Sequence, residues 1–229
     1  GEDIIRQWFK KNLPNILRER SDVADEFLSS PYVNDFYRFE GNAQSLRIVS
    51  KLHDFKGKFE GLDLTVATLN TILKYTYPSS HKKTKEITSK KVGYFYSEEE
   101  AFKTVTKITG TGTNRHPLTY ILEAADDIAY LVADMEDAIG KGVISFRDVR
   151  EFLLENLSND AYQSPHSVHT RELLTTIDEE VFSVNRFFVD LRDKLIDGAR
   201  HNFVNHYDEI MAGVFNQDLF KNSWAEDLY

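Results

Sequence analysis

The chain has 229 residues, a formal net charge of −9 at pH 7 and no cysteine. This charge excludes a surface that binds polyanions non-specifically over its whole extent. The lack of thiols excludes disulfides and thiolate metal sites and is compatible with the cytoplasm, where we predict the protein to be. Only 5 prolines and 11 glycines occur, which favours long helices over a turn-rich β fold. Because no apolar run is long enough to span a bilayer, we predict no membrane partner.

The first predicted element is a helix that begins at Glu2 and ends at Leu28. Ile4, Trp8 and their apolar neighbours are spaced for one helical face. Pro14 is expected to break or restart this helix, because proline removes a helical hydrogen bond. A carboxylate at the start of a helix, such as Glu2, is ordinarily explained by its attraction to the positive end of the helix dipole.

The segment RFEGNAQSLRIVSKL, residues 38–52, predicts a second helix after a glycine. Asn42 lies near its start, where asparagine usually caps the backbone N–H groups. The following segment alternates apolar residues and contains two glycines, and a further short apolar run follows later in the chain. We therefore predict a small β-hairpin excursion around 54–64 and 91–96 in an otherwise all-α chain.

The segment 65–75, TVATLNTILKY, predicts a helix that ends near Lys74. A lysine in this place offsets the negative end of the helix dipole. The loop HKKTKEITSKK, residues 81–91, carries five lysines. Such a loop can guide a triphosphate or contact single-stranded nucleic acid, although most basic loops are only solvated. The later TGTGTN segment lacks the spacing of a phosphate-binding P-loop.

The central predicted helix runs from Arg115 to Gly142. Pro117 suits the first turn of a helix, and Gly140 with Gly142 indicates the end. At about 100° per residue, one side of this helix is apolar. Its members are Leu118, Ile121, Ala125, Ile128, Ala129, Val132, Met135 and Ile139.

Three polar residues separated by four positions lie on the opposite side of this helix: Asp126, Tyr130 and Asp134. Stacked carboxylates repel one another unless water or a cation neutralises them. The face is therefore either a solvated acidic surface or a carboxylate directed at a divalent metal ion with a pocket around it. Spacing alone leaves both explanations open. Beyond this helix, the periodicity of residues 170–207 predicts one further long helix.

The amino-acid sequences of several segments resemble those of one protein family. EAADDIAYLVADMEDA preceded by RHPLTY, FEGNAQ followed by an arginine, and GLDLTVATL with LKY occur here in the family's order. These segments resemble the bacterial dGTP triphosphohydrolases, a branch of the HD-domain metal phosphohydrolases. The resemblance implies an HD-domain-like helical fold over a single domain, residues 1–229. It also implies hydrolysis of dGTP, or another dNTP, to the deoxynucleoside and tripolyphosphate with Mg²⁺ or Mn²⁺ as the cofactor.

The resemblance also implies roles for residues of the central helix. Asp126 matches a metal-binding aspartate, and the adjacent Asp127 is the alternative. Asp126 is preferred because Tyr130 and Asp134 then lie on the same face and match a tyrosine beside the sugar and an aspartate that accepts from the 3′-hydroxyl. Such a bond to an ionised carboxylate is charge-assisted.

Three further positions match site residues of the family. Glu2 matches an acidic residue implicated in catalysis, Lys74 a contact to the polyphosphate, and Asn42 a polar contact near the nucleotide. Each also has the ordinary structural explanation given above, so both explanations stay open.

The sequence departs from the family pattern in several features. The upstream metal-binding histidine, the His-Asp motif and the C-terminal region of the family are absent, so we expect an internal fragment that is inactive alone. For the complete protein we expect a homo-oligomer. The alternative function is a non-catalytic helical protein that binds dNTPs or single-stranded DNA.

Overall fold

The computed structural model describes residues 1–53, 57, 61–157, 165–177, 181–221, 223 and 226. These residues divide into two compact units: Gly1–Thr119 with Met211–Asn216, and Tyr120–Ile210 with Gln217–Tyr229. The described part is helical, which confirms the predicted all-α class. A single HD-like domain stays a prediction. Within the described ranges, no helix combines the length and hydropathy that crossing a bilayer requires.

The helices are numbered in chain order. Those that lie wholly in the first unit are α1 (Glu2–Arg18), α2 (Ala24–Ser29), α3 (Asn34–Tyr37), α4 (Gly41–Arg47), α5 (Val66–Thr71) and α6 (Glu99–Thr109). Short 3₁₀ turns occur at Pro31–Val33 and Tyr96–Glu98, and a π-helical turn at Ile48–Leu52 continues from α4. The remaining helices are α7 (Pro117–Gly140), α8 (Phe146–Leu157), α9 (Pro165–Thr176), α10 (Val181–Asn205) and α11 (Tyr207–Met211).

Helix α1 continues through Pro14, and the expected break is wrong. A proline inside a helix costs about 3 kcal/mol, so other contacts must offset it. Leu13 is buried beside it, and α1 packs against α3. The rings of Phe9 and Phe36 meet edge to face, with their centroids 5.1 Å apart. Packing of one face therefore outweighs the local preference of a single residue.

The predicted β-hairpin is not confirmed. Residues 54–56 and 58–60 lie outside the described residues, and the described residues of 61–64 and 91–96 form no strand. Instead, Tyr94 makes an isolated parallel bridge to Pro78. The Ser79 N–H donates to the carbonyl of Tyr94 at 3.0 Å. The extended pairing is thus with a neighbouring loop and is too short to be a ladder.

Gly93 allows this close approach of two backbone segments. Its N–H donates to the carbonyl of Tyr77 at 2.9 Å. A Cβ atom at position 93 would lie 1.9 Å from the carbonyl oxygen of Tyr75 and 2.3 Å from its carbonyl carbon. Any side chain here would therefore overlap backbone atoms, so the position requires glycine.

The first unit has its core around α4, α5 and α6. Tyr94 stacks on Phe102 with their ring centroids 4.1 Å apart. The buried members of this cluster are Leu46, Leu73, Tyr94, Phe102 and Val105. A second buried cluster joins Ala43, near the start of α4, to Val92 and Phe95. The buried face of α4 thereby determines where the N-terminus of that helix lies.

The second unit has its own aromatic core. Phe146, at the start of α8, lies edge to face with Phe187 and Phe188 of α10, at centroid distances of 5.6 and 6.4 Å. The α10 residues Leu191 and Leu195 are also buried. The predicted helical periodicity is therefore confirmed over α9 and α10. Thr176 ends α9 and Val181 begins α10, so the single helix predicted over 170–207 is divided.

Helix α7 matches its predicted range closely, but its buried side differs in part. Ile128 and Val132 are buried as predicted, whereas Leu118 and Ile121 are 48% and 44% exposed. Four buried residues recur at four-residue intervals: Tyr120, Ala124, Ile128 and Val132. An apolar arc on a helix is wider than the strip that a neighbour covers, so periodicity alone does not identify the covered part.

The N-terminus of α7 is capped by a residue that the sequence did not indicate. The Leu118 N–H donates to Nδ1 of His116 at 3.3 Å. Burial lowers the pKa of His116, which favours the neutral ring and leaves Nδ1 available as an acceptor. This cap satisfies one of the backbone donors that a helix N-terminus leaves unpaired.

Candidate functional site

Glu2 is held at both carboxylate oxygens. It is the first residue of α1, and its Oε1 accepts from the Gly41 N–H at 2.6 Å. Its Oε2 accepts from Nη2 of Arg6 at 2.8 Å. The side chain of Glu2 is nevertheless 39% exposed. The structure therefore places Glu2 at the N-terminus of α4, with a fixed carboxylate that still faces solvent on one side.

Arg6 links α1 to the segment that precedes α4. Its Nε donates to the carbonyl of Phe39 at 2.6 Å, and its Nη1 donates to Asp3 at 2.8 Å. Its Nη2 donates to Glu2 and also to Oε2 of Glu40 at 3.0 Å. Arginine presents these donors in a rigid planar fork, which lysine does not. We call Glu2, Arg6, Glu40 and Asn42 the Arg6 cluster.

Glu40 is the buried acid of the Arg6 cluster. It precedes α4, and only 2% of it is exposed. Burial raises the pKa of Glu40, and the negative charge of Glu2 raises it further. Lys91, the Asn42 amide and Arg6 oppose this rise. A buried carboxylate of this kind is tolerated only when it is paired, and Arg6 provides that pairing.

Asn42 lies inside α4 and donates to Oε1 of Glu40 at 3.3 Å. The predicted capping role is wrong, because Glu40 occupies the N-cap position and the first N–H of the helix, that of Gly41, donates to Glu2. The structure thus brings Asn42 into one cluster with Glu2. Lys83 of the basic loop approaches the same cluster, with its Nζ 4.0 Å from Oε2 of Glu40.

Lys74 lies in the first unit, where its backbone contacts a buried arginine. Nε of Arg115 donates to the Lys74 carbonyl at 2.7 Å. The guanidinium of Arg115 also lies 5.7 Å from the ring centroid of Tyr75. The Lys74 side chain is half-buried. The backbone at the end of the predicted 65–75 helix is therefore held firmly beside RHPLTY.

The remaining predicted residues share one exposed face of α7. Asp126, Tyr130 and Asp134 are all exposed, Tyr130 to 66%. In the part of the chain that the structure describes, no group of three histidine or carboxylate side chains is arranged to hold a metal ion. Because one carboxylate does not hold a catalytic metal, these residues do not by themselves fit such an ion.

Sequence reasoning missed Arg6 and Glu40. The spacing of Glu2 and Arg6, four residues apart at a helix start, is a local signal for an ion pair. No local signal indicates that Glu40 is buried behind that pair, 34 residues from Arg6 in the chain. The described residues thus define an all-α protein with two groups of candidate site residues: the Arg6 cluster and the acidic face of α7.

Comparison with known proteins identifies relatives over nearly the whole chain. A Listeria monocytogenes protein named deoxyguanosinetriphosphate triphosphohydrolase-like protein is 42% identical over 231 residues, covering 100% of this chain and 49% of that protein. A Yersinia enterocolitica protein named deoxyguanosinetriphosphate triphosphohydrolase is 32% identical over 257 residues, covering 97% and 48%. A Pseudomonas aeruginosa protein named probable deoxyguanosinetriphosphate triphosphohydrolase is 31% identical over 247 residues, covering 97% and 48%. No protein-family model matches the chain.

Over nearly its whole length the chain is similar to proteins named as deoxyguanosinetriphosphate triphosphohydrolases or as like them, the family that the resemblance indicated. It spans about half the length of the curated relatives it matches.

Proposed function

We propose that the complete protein hydrolyses dGTP to deoxyguanosine and tripolyphosphate with a divalent metal ion, Mg²⁺ or Mn²⁺. In this reaction, water attacks the α-phosphorus and the bond between that atom and the 5′-oxygen breaks. The water oxygen stays on the tripolyphosphate, and the nucleoside oxygen takes up a proton. The observation that carries the proposal is the match of the chain, at 42% identity to a protein named deoxyguanosinetriphosphate triphosphohydrolase-like protein and at 32% identity to one named deoxyguanosinetriphosphate triphosphohydrolase.

The Arg6 cluster supports a catalytic role for Glu2. A general base needs a carboxylate that is fixed in position yet accessible to water. Both oxygens of Glu2 are hydrogen-bonded, and the side chain is 39% exposed. We propose that Glu2 accepts a proton from the attacking water. In the same proposal Asn42, which lies in this cluster, contacts the nucleotide.

The basic loop and Lys74 are the proposed contacts to the polyphosphate. Lys83 approaches the Arg6 cluster and is half-exposed, so its ammonium group can approach an anion bound there. Lysine suits a polyphosphate because it acts as a mobile point charge. Lys74 has a half-buried side chain on a backbone that Arg115 holds.

The exposed face of α7 supports the proposed metal and sugar contacts. Asp126 would contribute one carboxylate to the metal ion, and the other ligands would come from residues outside this chain. Tyr130 would lie beside the sugar, and Asp134 would accept a hydrogen bond from the 3′-hydroxyl. All these side chains are exposed to solvent on the same helix.

The test of the reaction is product analysis on the complete protein. With dGTP and Mn²⁺ or Mg²⁺, we expect equal amounts of deoxyguanosine and tripolyphosphate, measured by ion-exchange chromatography and ³¹P NMR. In ¹⁸O-labelled water, the label is expected in the tripolyphosphate. Release of orthophosphate or pyrophosphate would refute the proposed bond cleavage. The non-catalytic alternative is not favoured, because the relatives carry hydrolase names. A homo-oligomer and a cytoplasmic location stay predictions.

Asp134→Ala tests the proposed contact to the 3′-hydroxyl. A hydrogen bond to a charged group contributes about 1.5–3 kcal/mol, so 2′,3′-dideoxy-GTP should lose about 10- to 100-fold in kcat/KM in the wild type. In Asp134→Ala the two substrates should differ little, because the acceptor is gone. The measurement is kcat/KM for both substrates with both proteins.

Asp137→Ala is the matched control for this experiment. Asp137 lies on the same helix, is 71% exposed at its side chain and pairs with Lys141 at 2.8 Å. Its removal should leave the difference between dGTP and the dideoxy substrate as in the wild type. An equal dideoxy penalty in Asp134→Ala and the wild type would exclude Asp134 from the sugar contact.

A further inference from the structure

We propose that Arg6, itself held by Glu40, positions the carboxylate of Glu2 for catalysis. Arg6 and Glu40 are thus positioning residues, and neither needs to touch the substrate. The catalytic part of this inference rests on the proposed function. The contacts from which it is argued are hydrogen bonds seen in the structure, and they hold whatever the reaction is. All of them lie within the first unit.

Glu2 is more constrained than its place in the helix requires. A glutamate in the first turn of a helix is ordinarily solvated and samples several rotamers. Here Gly41 N–H holds Oε1 at 2.6 Å and Arg6 holds Oε2 at 2.8 Å. Interaction with the helix dipole does not require either contact.

The backbone of Gly41 approaches the Glu2 carboxylate closely. A Cβ atom at position 41 would lie 3.0 Å from Oε1 of Glu2. The glycine therefore allows the carboxylate to reach a backbone donor at the N-terminus of α4. The carboxylate is fixed by a backbone group that cannot rotate and by Arg6, and only the second of these can be changed by substitution without altering the backbone.

Arg6 is itself held in one orientation by hydrogen bonds. Each of its three nitrogens donates a hydrogen bond, including one to the Phe39 carbonyl at 2.6 Å. Nη2 contacts Glu2 and the buried Glu40 together. A buried ion pair adds little to stability because both charges lose their hydration. Orientation of Glu2 through Arg6 is a role that this buried acid can perform.

The competing explanation is that Arg6 only ties α1 to the start of α4. A structural tie would lower stability, and with it activity, whether or not Glu2 is present. A positioning residue instead depends on Glu2: once Glu2 is removed, its own removal has no further effect on turnover. A double-mutant cycle separates the two explanations.

The kinetic experiment compares Arg6→Lys in the wild-type and Glu2→Gln backgrounds of the complete protein. Misplacing a catalytic group by about 1 Å can cost 100-fold, so Arg6→Lys should lower kcat for dGTP by about 10- to 100-fold. The KM should stay within about threefold, since Arg6 makes no proposed substrate contact. In the Glu2→Gln background, Arg6→Lys should lower kcat no further. Equal losses of kcat in both backgrounds would overturn the inference.

A second readout does not depend on activity. In protein labelled with [¹⁵N]glycine, the Gly41 amide reports its charge-assisted bond to Glu2. Arg6→Lys should shift the Gly41 amide proton upfield, in the same direction as Glu2→Gln, because Glu2 is no longer held against it. Glu40→Gln should produce a smaller shift of the same sign. Loss of one glycine peak in Gly41→Ala assigns the resonance.

Arg18→Lys is the matched control. Arg18 lies near the other end of the same helix and pairs with Asp25 at 2.9 Å in an exposed ion pair. This change should move neither kcat nor the Gly41 resonance. An unmoved Gly41 resonance in Arg6→Lys would overturn the inference even if dGTP hydrolysis is confirmed. If the wild type does not hydrolyse dGTP, the proposed function fails, and the Gly41 resonance still decides whether Arg6 positions Glu2.

Discussion

Asp126→Asn is expected to abolish metal-dependent turnover of dGTP in the complete protein. Asparagine keeps the size of the side chain but removes the negative charge that would face the divalent ion. A catalytic metal stabilises the transition state by several kcal/mol, so kcat/KM should fall by about 1,000-fold or more. The same variant should bind Mn²⁺ more weakly, measured by isothermal titration calorimetry or by the EPR signal of free Mn²⁺.

Asp127→Asn is the matched control, because it makes the same chemical change one position along α7. Asp126 is exposed, whereas Asp127 is half-buried, which is compatible with different roles for the two carboxylates. We expect Asp127→Asn to keep most of the activity and the Mn²⁺ affinity. Retained turnover in Asp126→Asn together with loss in Asp127→Asn would transfer the metal-binding role to Asp127. Retention in both variants would remove this helix from the metal site.

Gly93→Ala is expected to destabilise the first unit strongly. The added methyl group would lie 1.9 Å from the carbonyl oxygen of Tyr75, and that oxygen belongs to a backbone that cannot rotate away. Overpacking against rigid atoms costs about 3 kcal/mol or more. For a protein of this size, such a loss lowers Tm by about 6–12 °C. The measurement is thermal unfolding followed by circular dichroism.

The control for this prediction is Gly140→Ala. Gly140 is the last residue of α7, and a Cβ atom there would meet no heavy atom within 4 Å apart from its chain neighbours and the backbone of its own helix. Because alanine has a higher helix propensity than glycine, Tm should be unchanged or slightly higher. Similar melting temperatures for Gly93→Ala and the wild type would show that the segments around Tyr75 and Gly93 are able to separate.

Gly93→Ala and Arg6→Lys are expected to lower activity by different routes. Gly93 maintains the backbone pairing beside Tyr94, whose ring belongs to the buried cluster around α4, α5 and α6. The Arg6 cluster lies at the N-terminus of α4. Gly93→Ala therefore disturbs the support of the candidate site through the fold, whereas Arg6→Lys acts on the carboxylate directly. Comparison of Tm with kcat in the two variants separates stability from catalysis.

The sequence by itself determined the helical class, the range of α7 and the helical periodicity that forms α9 and α10. These features depend on propensity and on spacing within a few turns, which are local properties of the chain. The resemblance also indicated Glu2 and Asn42 as site residues, and the structure places both in one cluster. It did not include Arg6 or Glu40, which hold that cluster together.

Only the tertiary structure decided which contacts form between distant segments. Arg6 meets Glu40, which lies 34 positions away, because α1 packs on α3 and the chain then turns back into α4. Helix α1 continues through Pro14 for the same reason, since packing outweighs a local preference. The hydrogen bond from the Gly93 N–H to the Tyr77 carbonyl forms where a strand was predicted. The fold brings these two backbone segments together, and the local sequence does not indicate this partner. Side-chain periodicity identifies a face of an element, but the path of the chain determines what that face meets.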